Sequence, residues 1–418
     1  MPVRIERAQL RTLADGLAVA MVATIPWSTS IATIFLGLWL IVLIPTLDPQ
    51  DLRDVMRHPV AWLPVALFVL AALGMLWADV EWKERFRSLG SFARLLVLPL
   101  LFAQFRRSDR ANWIFLAFLA SCSVMLMLSF ASILGGDSIG LRFKRYGVPV
   151  RDHIAQSGEF ILCAAGLFYV AMSKWSERNR LHALAALALA ALFLTNVFYV
   201  APSRTGLVTV PILLVLFAIT QCRWSQMLAL LAAIAILGGI VWTSSLKVQQ
   251  RLIAVITEVQ DSQTKDIETS AGQRLRYLMQ SLDIIRASPA IGHGTGSLRE
   301  MFVRATAAQG DTKVPTTNPH NQTLTIAIQL GLVGAVLLFA MWLSHFSLFL
   351  RGAGLAAWIG LAIVVQNVIG SLFNNHLFDF TQGWIYMFGV GAAGAVVLGQ
   401  RDAAMAPAIA SGTAATRP

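Results

Sequence analysis

The chain is short of charge, of acid above all, and of cysteine. Only 13% of its 418 residues are Asp, Glu, Lys or Arg, against roughly a quarter in an ordinary soluble domain. So few charges cannot clothe a water-exposed globule of this size, and a soluble fold is excluded. Acids number 22 against 33 lysines and arginines, for a net charge of +11. The three cysteines, Cys122, Cys163 and Cys222, fall in or beside apolar runs. Their spacing provides neither a disulfide framework nor a metal site, and packing roles are expected. No small-residue cleavage pattern follows the first apolar segment, which runs straight into a second and is expected to remain in the mature chain.

What is abundant is apolar sequence: 56% of residues are hydrophobic and the mean hydropathy is +0.66. Windows of roughly the 17 to 25 residues that span a bilayer lie near 10–26, 29–46, 60–78, 87–104, 111–134, 154–173, 182–200, 206–221, 225–244, 321–350, 353–373 and 384–399. These windows predict an all-α polytopic membrane protein of about twelve spans. Nine helices fall within 1–245, a large hydrophilic loop occupies 246–320, and three helices fall within 321–400. The tail at 401–418, rich in Ala, Ser, Thr and Pro, has the composition of a disordered segment.

With both termini in the cytoplasm, every cytoplasmic connection carries a positive charge, from Arg53 and Arg57 through Arg106, Lys174 and Arg223 to Arg351 and Arg401. The other face is nevertheless basic, with Arg142, Lys144, Arg145 and Arg151 in one short loop. The insertion rule disfavours that excess, which points to a polyanionic ligand such as a lipid pyrophosphate or phosphorylated glycolipid. A generic basic surface is the alternative.

Within the large loop, Leu246 to Gln260 and Arg274 to Ala287 carry apolar residues at helical spacing, so two amphipathic helices are expected to cap the bundle. Gly292-His293-Gly294-Thr295-Gly296 follows Ser288-Pro289. It suits a plain turn, or a phosphate-cradling nest that lacks the lysine and strand of a P-loop. The loop ends in Asn318-Pro319-His320-Asn321, where Asn318 is placed to cap the next helix and Pro319 to open it. That would mount the His320 imidazole rigidly at the water-lipid boundary.

Three stretches resemble one family. Pro319-His320-Asn321-Gln322 with Leu330-Gly331-Leu332-Val333-Gly334, Ser203-Arg204-Thr205-Gly206, and Arg274-x3-Leu278 leading to Pro289-Ala290-Ile291-Gly292-His293-Gly294 are similar, in that topological setting, to motifs of the O-antigen ligase and polymerase superfamily. The resemblance implies a GT-C-like architecture, a bacterial inner-membrane location and an active site facing the periplasm. It implies transfer of a glycan from an undecaprenyl pyrophosphate carrier to a lipid A-core acceptor, among membrane lipids, with no nucleic acid, cofactor or metal. His320 would be the general base, since an imidazole titrates near neutral pH. Arg204 and Arg274 would hold the pyrophosphate as its charge develops. Arg142, Arg145, Arg151, Arg276, Ser203 and Asn321 are the accompanying candidates for substrate binding. Ligation to lipid A-core is the reading favoured by the single compact loop, with polymerisation and protein O-glycosylation as alternatives within the superfamily.

Two other classes compete. A metal-dependent oligosaccharyltransferase would draw on Asp79 and Glu81 or on Asp266 and Glu268. A flippase or transporter would use ionisable groups deep in the spans, where Arg94 and Glu159 are the main candidates. Tyr277 and Trp242 are expected to pack or anchor, and Asn374 to Asp379 to hold sugar hydroxyls or form a solvated turn. The topology is testable: a periplasm-dependent phosphatase fused near Gln263 should be active and one fused at the C terminus inactive. The reverse pattern would remove the proposed face.

Overall fold

In a computed structural model, which describes residues 6–134, 147–254, 269–308, 316 and 318–414, the protein is built of helices, and no strand occurs among those residues. The helices α1 (Arg7–Thr24) and α2 (Thr29–Leu43) pack together, and Ser28 caps α2 by accepting from the Ile31 amide. Their turn is pinned halfway along α7 (Ala111–Leu134), where Trp27 Nε1 donates to Ser121 at 2.7 Å. Helices α3 (Pro49–Met56) and α4 (Pro59–Gly74) each open on a proline and meet at a bend of 91°. A single 3-10 turn joins α5 (Trp82–Ala93) to α6 (Val97–Phe105). There follow α8 (His153–Ser176), α9 (Arg180–Thr195), α10 (Arg204–Gln221) and α11 (Trp224–Ser244).

Helical turns at 246–254 and then α12 (Ser270–Ala287) occupy the positions where the loop sequence predicts amphipathic helices; α13 (Leu298–Ala308) is an additional one. The chain returns to the bundle through α14 (Gln322–Leu350), α15 (Gly354–Ser371) and α16 (Phe380–Ala414). The last helix passes Arg401, where the sequence suggests that order ends, and its alanine-rich end is compatible with helix.

Among the described residues, ten helical stretches are long and apolar enough to cross a membrane, or eleven if the bent α3–α4 pair is one span. The remaining predicted window is α1, which Arg7, Arg11 and Asp15 make less apolar than the others. Helix α16 forms the centre, with 89% of its apolar window buried against α6, α7, α15 and their neighbours. Helix α11 is the opposite case: it buries none of its residues and rests against α10.

At the face carrying both ends of the bundle, the buried Asp15 carboxylate accepts from Gln104 Nε2 at 2.8 Å and Ser108 Oγ at 2.7 Å. Arg106 pairs with Asp402, and Arg107 with Asp51. Many of the basic residues at this face are therefore tied into the helix ends they flank. A buried carboxylate is tolerated in this position because donors surround it.

The opposite face, called here the loop face, depends on a break in α14. Gly331 has φ 64° and ψ −162°, outside helical space, so the helix is interrupted there and then resumes. A break within a bundle leaves carbonyls above it and amides below it without helical partners. The turn after α12 fills the gap. His293 and Gly294 donate to the carbonyls of Ile328 and Gln329 at 2.9 and 2.8 Å, and Leu332 and Val333 donate to Pro289 and Ala290 at 2.8 and 3.3 Å. Thr295 adds bonds to Gly74 and Ala71 at the end of α4.

The glycine run is therefore neither a plain turn nor a phosphate nest. Gly292 (φ 67°) lies so close to the backbone of residues 329–331 that a Cβ would stand 2.6 Å from it, and Gly294 approaches Ala78 equally closely. Gly292→Ala should cost about 2–4 kcal/mol, combining left-handed strain with backbone overlap. Gly354 provides the control, because it too has positive φ (83°) but faces open space. Thermal unfolding in detergent should show a much larger loss for Gly292→Ala than for Gly354→Ala; equal losses would mean that the close approach is not what matters.

Candidate active site

His320 stands at the end of the large loop with φ 54°, a left-handed conformation that a side chain adopts only when its surroundings impose it. Asn318 imposes it, its side-chain oxygen accepting from the His320 amide at 2.7 Å. The expected cap at Asn318 is thereby corrected. Asn321 is the residue that caps α14, accepting from the Leu324 amide at 3.1 Å, and the helix opens on Gln322 rather than Pro319. Only Asn321, the cap itself, separates His320 from the helix.

The ring points at the connection between α15 and α16. His320 Nδ1 lies 3.2 Å from Asn374 Oδ1, and Asn374 Nδ2 donates to Asp379 Oδ2 at 2.9 Å. This line fixes the tautomer. Asn318 accepts through its oxygen, so its amino group is what reaches Asn374, at 3.2 Å. Asn374 must answer with its own oxygen and turn its amino group to the carboxylate, which only accepts when ionised. Facing an acceptor, His320 Nδ1 carries the proton and Nε2 is left as a base. Behind Asp379, Arg94 Nη1 donates to the carbonyls of Phe378 and Asp379 at 2.6 and 2.7 Å and lies over the Trp384 ring. Asn375 accepts from Thr325 at 2.7 Å, and Gln322 accepts from the Leu377 amide at 3.1 Å, so the segment is clamped to α14 along its length.

On the other side of the imidazole, Tyr277 stacks on it with a centroid separation of 6.3 Å and an angle of 22°. Arg276 also lies over that tyrosine ring, 5.5 Å from its centroid. Arg274, one turn before Tyr277 and on the same side of α12, is near enough for its charge to act on the imidazole. Burial holds His320 below the ordinary histidine range; the Asn374 bond opposes this and Arg274 reinforces it. Burial pushes Asp379 up to about 6, with Arg94 opposing and Asp152 adding to the rise. His376, packed against Gly370, is lowered by burial to about 4.

The other sequence candidates are placed as follows. Ser203 is buried, and its hydroxyl caps α10 by accepting from the Gly206 amide at 3.0 Å. Arg204 is the first residue of that helix, at the loop face, where Ser245 and Lys247 bind the carbonyls of Phe198 and Val200 just before it. Arg151 turns inward: it donates to Thr381, lies 4.9 Å from the Phe380 centroid and faces the buried Glu159. Arg142 and Arg145 lie outside the described residues, as do Asp266 and Glu268. Asp79 pairs with Arg304 at 2.8 Å, which lowers its pKa and ties the α4–α5 connection to α13.

Sequence reasoning missed Asn374 and Asp379 as supports of the histidine, and Arg94 as the support of that support. It also assigned Tyr277 to packing. The position of Tyr277, three residues after Arg274, was the available signal.

Residues 188–339 match the family described as O-Antigen ligase. No match is found among curated proteins. The matched stretch holds the Ser203-Arg204 turn, the arginines of α12, the interlock at Gly331 and His320, whereas Asn374 and Asp379 lie beyond it. That match, over rather more than a third of the chain, supports membership of the O-antigen ligase superfamily.

Proposed function

We propose that this protein is an O-antigen ligase, transferring glycan from undecaprenyl pyrophosphate to a sugar hydroxyl of lipid A-core at the periplasmic face of the inner membrane. The observation that carries this reading is the line His320–Asn374–Asp379, with Arg274 near enough for its charge to act on the imidazole. In the reaction the acceptor oxygen forms a bond to the anomeric carbon of the donor sugar as the bond from that carbon to the pyrophosphate oxygen breaks. The hydroxyl proton passes to His320 Nε2. Arg274 and Arg204 receive the negative charge that gathers on the departing pyrophosphate. Asn374 and Asp379 keep the proton on Nδ1, and the imidazolium formed in the step is stabilised through the same two bonds. Tyr277 fixes the plane of the ring. Ser203, as the cap of α10, and Asn321, as the cap of α14, position Arg204 and His320. Arg276, Arg142 and Arg145 serve the anionic parts of the substrates, and Arg151 braces the start of α16.

His320→Ala should lower the transfer rate about 10²- to 10⁴-fold while the protein stays inserted and folded. Reconstitution with carrier-linked glycan and lipid A-core reads this out; near-normal transfer by a folded variant would remove the base assignment. With carrier-linked glycan alone, elongated chains would instead mark a polymerase.

The pH profile is a separate test. His320 works unprotonated, so activity is lost as pH falls through its pKa. Because burial lowers that pKa, the acid limb of the wild-type profile should lie below about 6.5, the ordinary histidine value. An acid limb above pH 7 would contradict this environment.

The roles a divalent cation would fill, neutralising the leaving group and activating the nucleophile, are assigned here to arginines and an imidazole. Protein stripped with EDTA should therefore retain transfer, and magnesium or manganese should not raise it. Loss on stripping and recovery with metal would favour the carboxylate mechanism.

A further inference from the structure

At the loop face, beside the start of α10, lies a cavity of about 570 Å³. Its wall includes His153, Lys247, Gln250, Arg251 and the chain at 200–202, and among the described residues no acidic one lines it. Three helices begin around it: α8 opens on His153, α10 opens two residues after Pro202, and the helical turns at 246–254 bring Lys247 and Arg251 to one side. Helix starts carry the positive end of the helix dipole, which adds to the cationic side chains. Lys247 is exposed, and among the described residues its ammonium makes one hydrogen bond, to the Val200 carbonyl at 3.1 Å. That bond holds the amine at the cavity wall and uses one of its three donors. A concave site with cationic walls and spare donors suits a compact, multiply charged oxyanion.

We propose that this cavity is a phosphate site, held by Lys247 with Arg251 and His153, which takes a phosphate group of one of the two substrates. The chemistry is the same whether that group is the donor's pyrophosphate or a phosphate ester on the acceptor glycan. Phosphate binding follows from the cavity itself, and only the naming of its source rests on the proposed ligase function. The site is separate from the histidine line and adds a second hold on an anionic substrate next to Arg204.

The probe is inorganic pyrophosphate, titrated at low salt into the full-length protein in nanodiscs. Wild type should bind it. Lys247→Glu should weaken binding at least about tenfold, the scale of a reversed contact charge, whereas Lys247→Arg should retain it. Arg223→Glu, an exposed charge at the other end of α11, should leave binding unchanged. Lack of binding by wild type, or unchanged affinity in folded Lys247→Glu, would overturn the proposal. Transfer kinetics then identify the source. A raised KM for donor alone assigns the site to the carrier pyrophosphate, and a raised KM for phosphorylated but not dephosphorylated acceptor assigns it to the acceptor. Lost pyrophosphate binding with neither KM changed would overturn its role as a substrate site. If no transfer is detected with any acceptor while binding still depends on Lys247, the ligase reading fails and the phosphate site stands.

Discussion

The loop face is organised by backbone hydrogen bonds that replace those lost at Gly331. A helix within a membrane bundle cannot be broken without new partners for its carbonyls and amides. Here those partners come from the turn that follows α12, through four bonds across the break. The substitution fixes more than the break. It joins α12, which carries Arg274, Arg276 and Tyr277, to the helix that His320 precedes. Ile284 and Ile328 are buried in the small apolar cluster between them, together with Met301 and Phe302 of α13. The two parts of the chain that meet at the imidazole are thus set by a single joint rather than by the course of a long loop.

The imidazole itself is held by groups with unequal freedom. Asn374 could point either end of its amide at His320 if nothing else constrained it, and the tautomer would then be undetermined. Asn318 and Asp379, one donating and one accepting, remove that choice. Low local polarity strengthens each of these bonds and makes a misplaced proton costly. The left-handed turn at His320 belongs to the same design. It stores strain at the residue proposed as the base, and the Asn318 bond, the Asn321 cap and the clamps to α14 hold it in place.

Much of this was legible in the sequence because it depends on near neighbours or on bulk hydrophobicity. The spans follow from apolar run length. The helices of the large loop follow from apolar spacing, and short motifs single out His320, Arg204 and Arg274 as the candidates. Illegible were the pairings that cross long stretches of chain. Nothing local in Asn374 to Asp379 marks it as the seat of a residue more than fifty positions earlier, and nothing in Arg94 points to a carbonyl at Asp379. The glycine run was misread for a related reason: glycines that admit a phosphate and glycines that admit another backbone have the same sequence. The cap at Asn318 was misplaced because an asparagine that accepts from the amide two residues on, within a turn, is written like one that starts a helix.

The bareness of α11 has a consequence for how the sequence can change over time. A helix that fully buries none of its residues makes little steric demand on those that face away from α10, and lipid asks only that they remain apolar and helix-compatible. Most of its positions can exchange Leu, Ile, Val, Ala and Phe without reference to the rest of the protein. Substitutions should accumulate there faster than in the apolar window of α16, 89% of which is buried. Among homologues, α11 will therefore be recognisable by hydrophobic length and by its place between the turn at Ser203 and the start of the large loop, long after its residues have ceased to align.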